Sequence, residues 1–443
     1  MKHKLFKITA VVILLASTGF PVRANAVSYA GEAADHRFRW RRGAVQIALS
    51  ASLIRANSNI KSDSDVIGAI RRSLRAWERA ANVNFLEISS EKLNVSPTGS
   101  TGDGISLITI AQTPENVLLF TKNPEETAAT TRIFFDGKGN ITEADIVLNR
   151  YQQFSTDGTF GTFDLESTLT HEIGHLLGLE HSAVAGATMH ENYGKNGLYG
   201  LQNFGARTLA EHDLALIRAK YGSRDENVQC CGAISGRIFQ SAGRSAKGVE
   251  IWAEEAASGK VFSQIRTQSD GGFRLDGLPF GTYKLFAQDD KRIKNSFFSV
   301  QEIGQYAIDG EEPLTVMKKL AGVGGNLDLR YIGFNAQLSE LAIPLNAGKI
   351  YTLYLGGKNL DPKRISLSFS SPLLTIVPNT IISHDYGDDI SVISFEVRVD
   401  PLTPQGEYTI FGETGNGMRR AVAGAVTIEN FLNPLSVSAL PED

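Results

Sequence analysis

The sequence predicts an α+β unit over residues 27–223 with three helices, followed by two all-β sandwiches over residues 232–318 and 320–430. Three observations lead there. Helical spacing of apolar residues recurs up to about Gly222 and disappears beyond Ser223. After residue 232, short alternating runs are broken by Gly, Asp and Pro. Between the two regimes stands NVQCCG, which holds both cysteines of the chain and reads as a junction. With 443 residues, 42% apolar and 21% charged, the chain can bury several cores and is no candidate for extended disorder.

Residues 1–26 read as a secretory signal peptide. MKHKLFK is basic, ITAVVILLA is apolar but too short to span a bilayer, and Ala24-Asn25-Ala26 is a small-x-small cleavage site. Its removal leaves 40 basic residues against 48 acidic ones, a net charge of −8. That mild acidity, without a basic stripe, argues against a nucleic-acid partner. No second apolar span follows, so the mature chain is expected to carry no integral membrane segment and to be secreted, outside the cell or into a periplasm. Cys230 and Cys231 are adjacent and could bridge each other only through a small strained ring, so they are expected free or paired between chains.

AVQIALS alternates as a strand. SDSDVIGAIRRSLRAWERAANVNF then carries Val66, Ile70, Leu74 and Trp77 at helical spacing behind Asp and Ser caps. Further strands are expected at ISLITIA, TRIFFD and ITEADIVLN, a second helix from about Asp164, and a third over TLAEHDLALIRAKYG. Beyond the junction, GAISGRIF, GVEIWAEE, KVFSQIRT, GGFRLDGLP and GTYKLFAQ supply the first sandwich, and KIYTLYLGGKNL, ISVISFEVRV and GEYTIFGE the second.

The chemistry concentrates in HEIGHLLGLEH, residues 171–181, in a chain with eight histidines of which five lie between 171 and 212. On a helix a step of four residues turns about 400° and rises about 6 Å, so His171 and His175 share one face. Leu165, Leu169 and Ile173 form the apolar stripe roughly opposite, which turns the histidines towards a cleft instead of the core. Were the helix to continue, His181 would lie about 9 Å further along and point elsewhere. Gly178 can end the helix at positive φ and swing His181 back. Three neutral imidazoles leave a fourth position open, as at a catalytic zinc, and Glu172 is placed to act as general base.

HEIGHLLGLEH followed by Met189 resembles the metzincin metalloproteases, and within them the matrixins, the matrix-metalloprotease-like family. FDLESTLTHEIGH, WERAANVNF and LAEHDLALIRAKYG extend the likeness to about 195 residues. The resemblance implies a metzincin-like fold, a twisted mixed sheet over the active-site helix, and a zinc endopeptidase that cuts protein or peptide substrates. Zn2+ would be held by His171, His175 and His181, with Glu172 catalytic. Met189 would lie in a turn beneath the imidazoles, and Asp213 would hold that turn. His190, Tyr193 and Tyr199 would line a pocket for the substrate side chain after the cut, with the substrate extended along TRIFFD as an edge strand. This chain departs from the animal matrixins in having no histidine between His36 and His171, so their second, structural zinc is not expected, and no upstream cysteine provides thiol latency. DGKGNITEAD offers oxygen ligands for Ca2+, while Asp, Gly and Asn in a hairpin more often form a plain turn.

GVEIWA…SDGGFRLDGLPFGTYKLFA is similar to the carboxypeptidase regulatory-like domains, on Gly271-Gly272-Phe273, Leu278-Pro279 and Gly281-Thr282-Tyr283. The unit at 320–430 resembles an immunoglobulin-like sandwich. Such modules would bind protein or glycan. The competing reading is an adhesion or matrix-binding protein with a vestigial protease domain. Glu172 weighs against it, since an inactive relative is expected to lose its base.

Overall fold

Asp65 accepts the N–H of Gly68 and starts α1 (Val66–Ala80), which buries Ile70, Leu74 and Trp77 along one face. A single turn, α2 (Pro114–Val117), follows, and then α3 (Leu165–Leu176) and α4 (Glu211–Tyr221). These helices belong with seven strands: β1 (Asn25–Ser28), β2 (Arg39–Trp40), β3 (Ala44–Ser50), β4 (Asn84–Ser90), β5 (Ser106–Thr109), β6 (Ala129–Phe135) and β7 (Asn140–Leu148). The computed structural model describes residues 25–28 and 38–429, except 42, 56, 98, 122–123, 126, 193, 290–298, 323–326 and 388–389. The signal segment up to residue 24 and the pocket candidate Tyr193 therefore lie outside the described residues.

The strands pair in the order β1-β6-β7-β5-β3-β4, with β2 joined to β7. β3 is parallel to β4 and β5, and β5 to β7, while β6 is antiparallel to β7 and β1. One core joins sheet and helices through Ile133, Ile146, Trp77, Leu169 and Ile173. One expectation is corrected here. TRIFFD is not an open edge, because Val27 and Ser28 pair with Ile133 and Arg132; a four-residue strand is too short to announce itself by alternation. All twelve residues of α3 are buried, and the chain returns across its histidine side after Gly178, where His181 stays exposed.

Beyond the junction, the strands Gly272–Pro279, Cys230–Phe239 and Leu314–Lys319 form one sheet. It faces a second sheet of Val261–Arg266, Val249–Glu255, Gly281–Asp289 and Gln301–Ile308. Ile234, Phe273, Ile251 and Leu285 meet between the two. Cys230 and Cys231 are bonded to each other, correcting the expectation that they are free or paired between chains. They sit at the irregular start of their strand, where the register against the partner strand shifts. The last region pairs a six-stranded with a four-stranded sheet around Leu329, Leu355, Phe395, Ile410 and Val426.

The three regions pack directly on one another. Val184 and Ala187 of the first share an apolar cluster with Trp252 and Phe286 of the second and Phe411 and Ala421 of the third. The segment after the third histidine lies flush on the strand Arg419–Ile428, where Ala185 N–H donates to Ala423 O at 3.0 Å. A Cβ built on Gly424 would fall 2.5 Å from Val184 Cγ1, so only glycine permits that approach.

Candidate metal centre

Asp164 caps α3 by accepting Ser167 N–H at 2.8 Å, and its carboxylate is fixed in turn by Arg207 at 2.6 Å. The helix then ends as the glycine predicts. Gly178 has φ +84°, and a Cβ there would lie 2.3 Å from Phe38 O. Trp40 Nε1 donates to Leu176 O and the Tyr221 hydroxyl to Leu177 O, which satisfies carbonyls that the broken helix leaves open.

The turn at Gly178 brings His181 back beside His175, with Nε2 to Nε2 at 3.1 Å. One nitrogen from each of His171, His175 and His181 lies within 4.8 Å of the others. His171 Nδ1 is 2.7 Å from Thr188 O and His175 Nδ1 is 2.9 Å from Leu179 O. A carbonyl only accepts, so both Nδ1 atoms carry hydrogen and both Nε2 lone pairs are left for a cation. Burial, followed by the neighbouring imidazoles, holds His171 down to about 3 and His175 well below the usual histidine value. Neutral imidazoles with fixed tautomers and converging nitrogens fit a zinc ion with one open position.

Glu172 is 2% exposed and points to β6, where the Thr131 hydroxyl donates to its Oε2 at 2.6 Å. Sequence reading missed Thr131, because it lies 41 residues away and carries no motif of its own. Gly174 was missed too. A Cβ there would meet Met189 Sδ at 2.2 Å, so this glycine admits the methionine beneath the helix. Met189 itself is fully buried. Asp213 accepts Thr188 N–H at 2.8 Å and Met189 N–H at 3.2 Å, together with Ala210 N–H at the start of α4.

The pocket candidates fare differently. His190 is folded on its own loop, with Nδ1 2.9 Å from Asn192 O. Tyr199 lines a cavity but drives its ring into the last β region, where its hydroxyl meets Ser339 Oγ at 2.6 Å. In the hairpin at 136–140, the Asp136 carboxylate accepts from the backbone N–H groups of Lys138 and Asn140 and from the Asn140 side chain.

A model of the matrixin family of peptidases matches residues 39–222. Residues 39–222 form a matrixin-like domain. The chain is 27% identical to human Matrix metalloproteinase-20 over 221 residues, covering 50% of this chain and 39% of that protein. It is 29% identical to the Hatching enzyme of Paracentrotus lividus over 172 residues, covering 37% of this chain and 23% of the relative. The chain thus spans less than half the length of these curated relatives. Solved structures with some similarity include BcpA, the major pilin subunit of Bacillus cereus, at 14% identity and a TM-score of 0.19, covering 44% of this chain and 69% of that one. Another is a glucan-utilization protein, SGBP-B, of Bacteroides ovatus, at 17% identity and a TM-score of 0.18, covering 44% and 43%. Likenesses this weak place the β regions in no fold family.

Proposed function

We propose that the chain is an exported zinc endopeptidase that hydrolyses peptide bonds of extracellular or periplasmic proteins. The observation that carries this reading is the convergence of three imidazoles, two of them locked in one tautomer by backbone carbonyls, beside a carboxylate held by a hydroxyl. His171, His175 and His181 would hold the ion. Zinc, when bound, supplies a Lewis acid with an open coordination position. Glu172 takes the proton of the attacking water and returns it to the departing amine. Met189 and Asp213 keep the backbone beneath the imidazoles in place and touch no substrate.

The substrate is proposed to run along β6, the strand that Asn25–Ser28 pair with in this structure. The β regions are proposed to recognise the surface, protein or glycan, on which the enzyme works. The adhesion reading loses ground because Glu172 is retained and is also oriented by Thr131. Cleavage of casein or gelatin by the purified chain should be abolished by a chelator and by Glu172→Ala. Chelator-resistant cleavage would refute the reading.

A further inference from the structure

The loop that follows the methionine turn is built on the last β region. Tyr199 sits at φ +58°, a conformation unusual for a tyrosine. It is held there at both ends. Its backbone N–H donates to Gln337 Oε1, Asn335 Nδ2 donates to its carbonyl at 2.7 Å, and its hydroxyl lies 3.0 Å from Leu341 O and 2.6 Å from Ser339 Oγ. Tyr199 is 2% exposed and belongs to the apolar core of that β region. Such positive-φ strain persists only where the surroundings over-determine it.

Between loop and β region lies a cavity of about 80 Å³, lined by Thr188 and Asn192 on one side and by Leu341, Pro344 and Glu429 on the other. A single water needs about 10–15 Å³ by this measure, so the space admits a side chain. Thr188, part of the lining, adjoins the metal centre along the chain: its carbonyl holds His171 and its neighbour is Met189. Among the described residues that line the cavity, Glu429 is the only acid, and there is no lysine or arginine. Its carboxylate faces the loop, with Oε1 3.3 Å from where a Cβ on Gly205 would stand. Burial raises Glu429 to about 7. An entering cation would supply the charge that the lining lacks.

We propose that the last β region completes a substrate subsite beside the metal centre: Tyr199 positions the loop as its wall, Glu429 forms its floor, and it selects a long side chain ending in a cation. This rests on the endopeptidase reading given above. It assigns selectivity to a region outside the matrixin-like domain.

The test uses the full zinc-loaded chain with paired peptides carrying Lys, Arg or Leu after the scissile bond. Wild type should favour the cationic residues in kcat/KM by about tenfold or more, through KM. Glu429→Gln should erase that preference by raising KM for the Lys and Arg peptides towards that of the Leu peptide. Tyr199→Phe should raise KM and speed amide exchange over residues 195–203, whereas Tyr283→Phe, a buried tyrosine of the middle region, should do neither. An apolar preference in wild type, or an unchanged preference in Glu429→Gln, overturns the proposal. If wild type cleaves no peptide, the endopeptidase reading fails by itself. The subsite is then judged by calorimetry with agmatine, an amine bearing a guanidinium. Binding that Glu429→Gln weakens supports it, and equal or absent binding to both proteins overturns it.

Discussion

The Thr131 hydroxyl donates a 2.6 Å hydrogen bond to the Glu172 carboxylate, joining β6 to the helix that carries two of the three histidines. A hydrogen bond to a charged group is worth about 1.5–3 kcal/mol. Thr131→Val should therefore lower kcat roughly tenfold to a hundredfold with KM nearly unchanged, and Thr131→Ser should restore most of the loss. Steady-state kinetics on one peptide decides it, and wild-type kcat in the valine variant would remove Thr131 from the mechanism.

Gly178→Ala adds a Cβ 2.3 Å from Phe38 O at a residue with φ +84°. Positive φ alone costs an L-residue about 1–2 kcal/mol, and the clash adds to it. The expected outcome is a lower melting temperature together with weaker zinc affinity, because this turn returns His181 to its partners. A destabilised variant with unaltered zinc affinity would show that His181 is placed by other contacts.

Acid should loosen the contact between α4 and the middle region. His212 is 2% exposed, accepts Gln264 N–H at Nδ1, and is held by burial down to about 4 from an ordinary 6.5. Its folded form resists protonation that the unfolded chain accepts. The stability it contributes is thus complete above pH 6.5 and is lost as the pH falls towards 4, by up to about 3 kcal/mol. Urea unfolding across that range should show the slope, and His212→Asn should flatten it. Identical slopes in the two proteins would assign the acid sensitivity elsewhere.

Compared with the chain that keeps Asn25–Ser28, a chain lacking residues 1–28 exposes the β6 edge. Peptide KM should fall in that variant. An unchanged KM would mean that peptides do not bind along β6.

What could be read from the sequence is what is local in it. His171, Glu172, His175, Gly178 and His181 lie within eleven residues, and helix geometry alone argues that the imidazoles converge. The helix start near Asp164 and the stripe Leu165, Leu169 and Ile173 were legible for the same reason. Thr131 and Gly174 were not, because their roles depend on which strand and which methionine face the helix. Tyr199 reads as a pocket aromatic in sequence, and only the packing of a region 130 or more residues away shows it as an anchor. The covered edge of β6 was hidden because four residues give no periodicity.

The central claim is tested most directly by the zinc content of the folded full-length chain, measured beside His181→Ala. One zinc per chain is expected in wild type, with loss of both the metal and peptide cleavage in the variant. Folded wild-type protein that binds no stoichiometric zinc, or a variant that keeps both metal and cleavage, would contradict the account.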